Sequence, residues 1–266
     1  VVDQLVEVWA STVSACARLD DAQWDRPTDC PGWTVKDQLS HLVGIERMIR
    51  GDPPPPAPDS PPPHVVNDFG LLNESWVGAR RAVPGDEVLA EFVEVTDRRI
   101  DELRSLGPED FDRVGWSPLG DRPYRDFMES RVLDSWAHEQ DIRRALDRPG
   151  GRNGAGESVV LDRCEQTMPY VVGKVVAPPD GTSVLFAVNG PLGRHALVTV
   201  SGGRASLVPM SSGQMPSVTV TLDQEAFWRL AFGRQRPSEA VASGEVQVDG
   251  DMALGYRVLE SMAFMT

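Results

Sequence analysis

Lysine is almost missing from this chain. Of 26 basic residues among 266, only Lys36 and Lys174 are lysines. That bias points to GC-rich coding rather than to a function. Positive charge as a whole is short: 40 acidic side chains leave a formal net charge of -14 and a pI of about 4.7. Such a surface repels phosphates, which speaks against a nucleic-acid partner and against docking on an anionic membrane. Cysteine is sparse too. Cys16, Cys30 and Cys164 are odd in number and widely spaced, with no CxxC pair, so neither a thiolate zinc centre nor a redox pair is expected. A reduced, cytoplasmic protein fits this usage. No apolar run approaches the ~18–20 residues that span a bilayer, and no signal-peptide pattern is visible. Histidine occurs four times, as His41, His64, His138 and His195.

What is present organises itself in two halves. Hydrophobic residues make up 41%, enough for a core in one large domain or two ordinary ones. Residues 3–19 carry apolar side chains at helical spacing. After the loop DDAQWDRPTDCPGW, Thr34 is placed to cap a helix and Asp37 to complete a capping box, so a helix is expected over Val35–Ile49. The stretch GDPPPPAPDSPPP (51–63) excludes helix and central strand and reads as a stiff, extended connection. Helical spacing resumes over Asn67–Arg81, Asp86–Leu106 and Tyr124–Leu146. Four or five long helices within residues 1–150 predict a bundle.

At DRPGGRNGAG (147–156) the composition becomes that of a linker. One more helix is expected over Ser158–Val176. Beyond it, TSVLFAVNG, GRHALVTVSGG, SVTVTL and EVQVDGD alternate with the period of strands. DQEAFWRLAFG and MALGYRVLESMAFM read as helices. Residues 155–266 are therefore expected to form a smaller α+β domain with an antiparallel sheet.

The histidines carry the chemistry. His64 falls in the proline-rich stretch and His195 in a predicted strand, which leaves His41 and His138 on bundle helices. Asp134 and His138 are four residues apart and share a helical face. A carboxylate and an imidazole one turn apart, with a histidine from a facing helix, can converge inside a bundle as metal ligands do. Three protein ligands and an open position is the pattern of a catalytic zinc. Salt-bridged or core histidines give the same spacing, so spacing alone leaves both readings open. Asp37 is expected to cap its helix, and Glu139 and Asp141 to point off the Asp134/His138 face. Trp33 and Trp136 read as bundle core, and Cys30 as a small buried hydrophobe.

The stretch PTDCPGWTVKDQLSHLVGIE, taken with Arg131, Asp134, His138 and Asp141, resembles the mycothiol-dependent maleylpyruvate isomerase family. VTLDQEAFWRLAFGR and ASGEVQVDGDMALGYRVLESM resemble that family's second domain. The resemblance implies a DinB-like four-helix bundle over residues 1–150 and a sterol-carrier-like α+β domain over 155–266. It implies Zn2+, or another divalent metal, on His41, Asp134 and His138. One departure stands out: the family's acid is usually glutamate, and Asp134 is a methylene shorter. Arg234, at a position often basic in the family, becomes the candidate grip on an anionic substrate. The alternative for Arg234 is an ordinary helix-end arginine favoured by the dipole. Arg131, three residues before Asp134, is placed either to support it or on the surface.

The resemblance also implies that the nucleophile is not a protein group but the thiol of mycothiol, the small thiol of actinobacteria. A free thiol has a pKa near ~8.5, and a bound metal presents it as thiolate. Addition to an activated double bond, rotation and elimination then give an isomer; other members transfer the thiol onto electrophiles. The expected protein is thus an isomerase or thiol S-transferase, monomeric or homodimeric, whose partners are a small thiol and an electrophilic, anionic small molecule. Two other classes remain: a zinc hydrolase, for which no His-Glu-x-x-His helix speaks, and a non-catalytic binder of lipid or another small ligand.

Overall fold

The computed structural model describes residues 1–115, 120–210 and 215–264. They form two compact units, Val1–Glu157 and Ser158–Thr266.

The first unit opens with α1 (Val2–Cys16), whose Leu5, Val8, Trp9, Thr12 and Ala15 are buried at spacings of three and four. The helix stops where Ala17 turns extended and Arg18 takes a φ of 57°. The loop that follows contains a turn of helix not read from the sequence, α2 (Asp21–Trp24), opened by an Asp20/Gln23 capping box. A second box, Thr34 with Asp37, starts α3 (Val35–Ile49) at the expected residue. After the proline-rich stretch come α4 (Asp68–Gly78), capped by Asn67, and α5 (Gly85–Arg104). Next are the short α6 (Pro108–Asp112) and a two-residue ladder of β1 (Val114–Gly115) with β2 (Arg122–Pro123). The longest helix, α7 (Tyr124–Ala145), closes the unit. The four long helices α1, α3, α5 and α7 make the bundle: α1 packs on α5 and α7, and α3 on α4, α5 and α7. Facing α3 and α7 both present long buried runs, and this pair positions the site.

The second unit enters through α8 (Ala155–Tyr170), so the helix starts three residues before Ser158 and the division between units falls in its first turn. Pro169 removes one N–H donor from the helix, and the chain runs on as a π-helical turn, Val171–Val176. A five-stranded sheet follows, built from β3 (Ser183–Asn189), β4 (Arg194–Ser201), β5 (Arg204–Val208), β6 (Val218–Asp223) and β7 (Val246–Gly250). The strand order is β5-β4-β3-β6-β7, antiparallel but for the central β3–β6 pair, which is parallel. Val184, Phe186 and Val188 alternate inward on β3, and Val218, Val220 and Leu222 do so on β6. The sheet carries α9 (Gln224–Ala231), α10 (Pro237–Ala242) and α11 (Met252–Glu260). The edge strand β5, mostly exposed, and the six-residue α10 give too little periodicity to be read from sequence. Position 265, the end of the stretch read as the last helix, lies outside the described residues.

Helix α3 approaches α4 closely because Gly44 has no side chain. A Cβ there would sit 2.4 Å from the Cβ of Trp76, an atom fixed to the α4 backbone. Gly44→Ala is therefore expected to force the helices apart at a cost of about 1–3 kcal/mol, as overpacking does. Gly78→Ala, where a Cβ meets nothing within 4 Å, serves as control. Urea midpoints of the two variants check this: only the first should fall.

Candidate metal centre

His41 and His138 face each other across α3 and α7, with ring centroids 4.5 Å apart in an edge arrangement. Asp134 lies between them. Its Oδ1 is 3.5 Å from His41 Nε2 and 3.5 Å from His138 Nε2, and its Oδ2 is 3.4 Å from His41 Nε2. One ligand atom from each of the three residues falls within 4.8 Å of the others. Both histidines are buried, at 3% and 7% exposure, while the Asp134 side chain keeps 20%. The carboxylate is the most exposed of the three side chains.

These distances bear on what the cluster can hold. Metal–ligand bonds of about 2.0–2.2 Å at tetrahedral angles set ligand atoms roughly 3.4 Å apart. Both histidine-to-aspartate separations match that edge, and both are long for an ion-pair hydrogen bond. Three acceptor-type atoms around one point fit a divalent cation. The shorter aspartate reaches the point without loss of contact with either imidazole.

The surroundings fix each ligand. Arg131 donates from Nη1 to Asp134 Oδ2 at 2.6 Å and from Nε to Glu46 Oε1 at 2.9 Å. Glu46 is itself 3.4 Å from Arg99 Nε. Asp134 Oδ1 is thereby left to the histidines. Burial alone would push the Asp134 carboxyl up, but Arg131, followed by the two imidazoles, outweighs it and holds the group well below the usual carboxylate range. Burial lowers the His41 imidazole to about 4, against the opposing pull of Asp134. Its Nδ1 is buried without a hydrogen-bond partner. His138 Nδ1 makes a short contact with Gln38 Oε1 and lies 3.7 Å from Asp141 Oδ2. The Trp33 ring stands 5.0 Å from His41 and 5.8 Å from His138, so it walls the cluster. Its Nε1 donates to the buried Glu74, which also meets His64 and Arg81.

The sequence-predicted ligands are thus brought together, and several neighbours differ from expectation. Trp33 is a wall of the cluster, whereas Trp136 is core, donating to the Gly151 carbonyl at 2.7 Å. Asp141 does not point away: three residues beyond His138, it shares that face and flanks the outer nitrogen. Glu139 does turn off, to Ser11 and Arg143. Asp37 caps α3. Cys30 is half-buried rather than buried, while burial pushes the Cys16 thiol up to about 12. Arg131 supports Asp134 and does not lie on the surface. Gln38, Glu46, Arg99 and Glu74 were not read from the sequence. Only Gln38, three residues before His41, carried a spacing signal. Arg234 belongs to the second unit, just past α9, where it is half-buried and donates from Nη1 to the Phe232 carbonyl at 3.0 Å.

The lowered His41 pKa makes a testable statement about the metal-free protein. Unfolded, the imidazole titrates near 6.5; folded, near 4. Above 6.5 neither state binds the proton and stability is unaffected. Between 6.5 and 4 only the unfolded state binds it, so stability falls as pH drops, by up to about 3 kcal/mol. Below 4 the loss is complete. Denaturant midpoints with chelator present, at pH 7 and pH 4.5, should show the decline in the wild type and a shallower one in His41→Asn. Equal slopes would remove His41 as its source.

Comparison with known proteins fits this geometry. The family described as the "Mycothiol maleylpyruvate isomerase N-terminal domain" matches residues 5–143, and its C-terminal domain matches residues 158–255. Two solved structures titled as mycothiol-dependent maleylpyruvate isomerase, one of them a histidine-to-alanine mutant, share the fold. They have TM-scores of 0.56 and 0.57 and identities of 15% and 14%, over 93% of this chain and 92% of theirs. Two uncharacterized proteins from strains of Mycobacterium tuberculosis are each 25% identical over 134 residues, 49% of this chain. The chain spans about half the length of these curated relatives, 50% in each case. With the first domain alone covering more than half of its residues, the chain belongs to the mycothiol-dependent maleylpyruvate isomerase family.

Proposed function

We propose that the chain is a metal- and thiol-dependent enzyme, an isomerase or a thiol S-transferase, that joins the thiol of mycothiol to an electrophilic small molecule. The observation that carries this reading is the convergence of His41, Asp134 and His138 on one point inside the bundle of a maleylpyruvate isomerase family member. These three side chains would hold the ion, with Zn2+ the best match to two imidazoles and a carboxylate. Bound there, it would supply the charge that turns a neutral thiol into a thiolate at neutral pH.

The chain's own groups do the rest. Asp134 and the two imidazoles leave a position for the thiol on the partly exposed side of the cluster. Trp33 presents an apolar face beside that position and keeps water from it. Glu46 is committed to Arg131 and Arg99, and Asp141 flanks the outer nitrogen of His138. Neither is placed as a free general base, which favours thiol chemistry over hydrolysis. In the second unit, Arg234 is the proposed grip on an anionic electrophile, since a guanidinium matches a carboxylate with paired donors. The proposed setting is a reducing, actinobacterial cytoplasm, in keeping with three cysteines that form no disulfide among the described residues and with the Mycobacterium relatives.

Metal analysis of the purified protein should find one divalent ion per chain. Alanine at His41, Asp134 or His138 should abolish it while leaving helix content unchanged. Asp134→Glu, which restores the family's longer acid, should retain the metal; loss as complete as in Asp134→Ala would mean that Asp134 is not a ligand.

Arg234 has its own test. A charged hydrogen bond contributes roughly 1.5–3 kcal/mol, so Arg234→Ala should lose about ten- to a hundredfold in turnover with mycothiol and the electrophile. Metal content should stay the same. Undiminished turnover would remove Arg234 from the site.

A further inference from the structure

A histidine binds a metal through one ring nitrogen, and the hydrogen bond made by the other decides which one is free. For His138 that bond can be traced outward to backbone. The Trp33 carbonyl, which can only accept, receives the Thr28 hydroxyl at 2.9 Å. The same hydroxyl oxygen receives the Cys30 N–H at 3.3 Å. With its proton committed to Trp33, the Thr28 oxygen meets Gln38 as an acceptor. The end of the Gln38 amide that lies 2.6 Å away is therefore its Nε2, which donates. The other end of the amide, Oε1, then faces His138 Nδ1. An oxygen there requires a proton on Nδ1. Asp141 Oδ2, 3.7 Å from the same nitrogen, favours that proton as well.

We infer that Gln38, itself oriented by Thr28, is a positioning residue that locks His138 with its proton on Nδ1 and its Nε2 lone pair directed at Asp134 and His41. The lock is built before any ion arrives. It rests on the functional reading above only for its purpose, which is to present a ready ligand. The geometry also explains why Gln38 is fully buried on the face of α3 that meets α7. A polar amide in that position is costly unless both ends are bonded, and here both are. The loop residues Thr28, Cys30 and Trp33 are thereby tied to the cluster. The turn that brings Trp33 against the imidazoles also sets the ring state of one of them.

Two measurements test the lock. In metal-free wild-type protein with 15N-labelled histidine, long-range nitrogen–proton NMR correlations should place a proton on His138 Nδ1. A ring without a proton on Nδ1 would overturn the inference directly. Separately, Zn2+ affinity is read by chelator competition. Gln38→Leu, which keeps the volume but cannot accept, should weaken Zn2+ binding by about ten- to a hundredfold, the usual effect of losing such a support. Gln38→Glu, which can accept from Nδ1, should restore affinity to within a few-fold of wild type. Rescue by the acid but not by leucine separates positioning from mere packing. If Gln38→Leu binds Zn2+ as tightly as wild type, the lock is wrong. Should Gln38→Leu fail to fold, the wild-type spectrum decides alone. Should the wild type take up no divalent metal, the functional reading falls, and the metal-free spectrum still decides for or against the lock.

Discussion

A row of alternating charges between α5, α3 and α7 constrains everything else in the first unit. Arg99, Glu46, Arg131 and Asp134 follow one another at contact distances, and the first three are almost wholly buried. Removing one member of such a pair leaves its partner charged in a poor solvent, at a cost of about 3–5 kcal/mol. The row therefore holds only when three helices are in register. Tyr124, at the start of α7, extends it by accepting from Arg99. Packing that satisfies these charges also sets the rotation of α7, and with it the direction of Asp134 and His138. The candidate ligands are placed by the same contacts that keep buried arginines paired.

Close approach of the helices adds to this. Gly44 lets Trp76 of α4 lie against α3, and Gly85 gives Trp24 the same freedom at the start of α5. The Thr34/Asp37 box fixes where α3 begins. That start decides which of its residues face inward: Gln38, His41 and Ile45 lie along one stripe at three- and four-residue steps. A shift by one residue would turn His41 away from α7.

Much of this was legible in the sequence, because its signals are local. The cap at Thr34, the spacing of Asp134 and His138, the proline-rich break and the change to period two are all written within a few residues. What was not legible depends on who meets whom in three dimensions. Glu46 and Arg99 look like surface charges on amphipathic helices and become buried where Glu46 meets both Arg99 and Arg131. Trp33 reads as core, since nothing local says that its ring faces two imidazoles. Asp141 was assigned to the wrong face, although its three-residue step from His138 was visible. In the second unit, the parallel pairing of β3 with β6 has no local signature either. Alternation identifies a strand but not its neighbour.

The charge row also bears on selectivity. Asp134 is itself paired with Arg131, so it brings less negative charge to the ion it would hold than an unpaired carboxylate would. Imidazole ligands bring no negative charge of their own. A divalent cation at this point would stand among buried imidazoles beside the Trp33 ring, where water screens its charge poorly. Such a centre favours an anionic fourth ligand over a neutral one, because the Coulomb term grows as the effective dielectric falls. A thiolate would meet that demand, at a pH where the free thiol keeps its proton. A carboxylate on the ligand partner would be drawn by the same charge, against the repulsion of a protein with a net charge of -14. The Arg131–Asp134 pair would thus orient the carboxylate towards an ion and temper the negative charge it brings. Replacing Arg131 by a neutral side chain would leave Asp134 a stronger donor and the ion a weaker acid, an effect opposite to the one thiol activation needs.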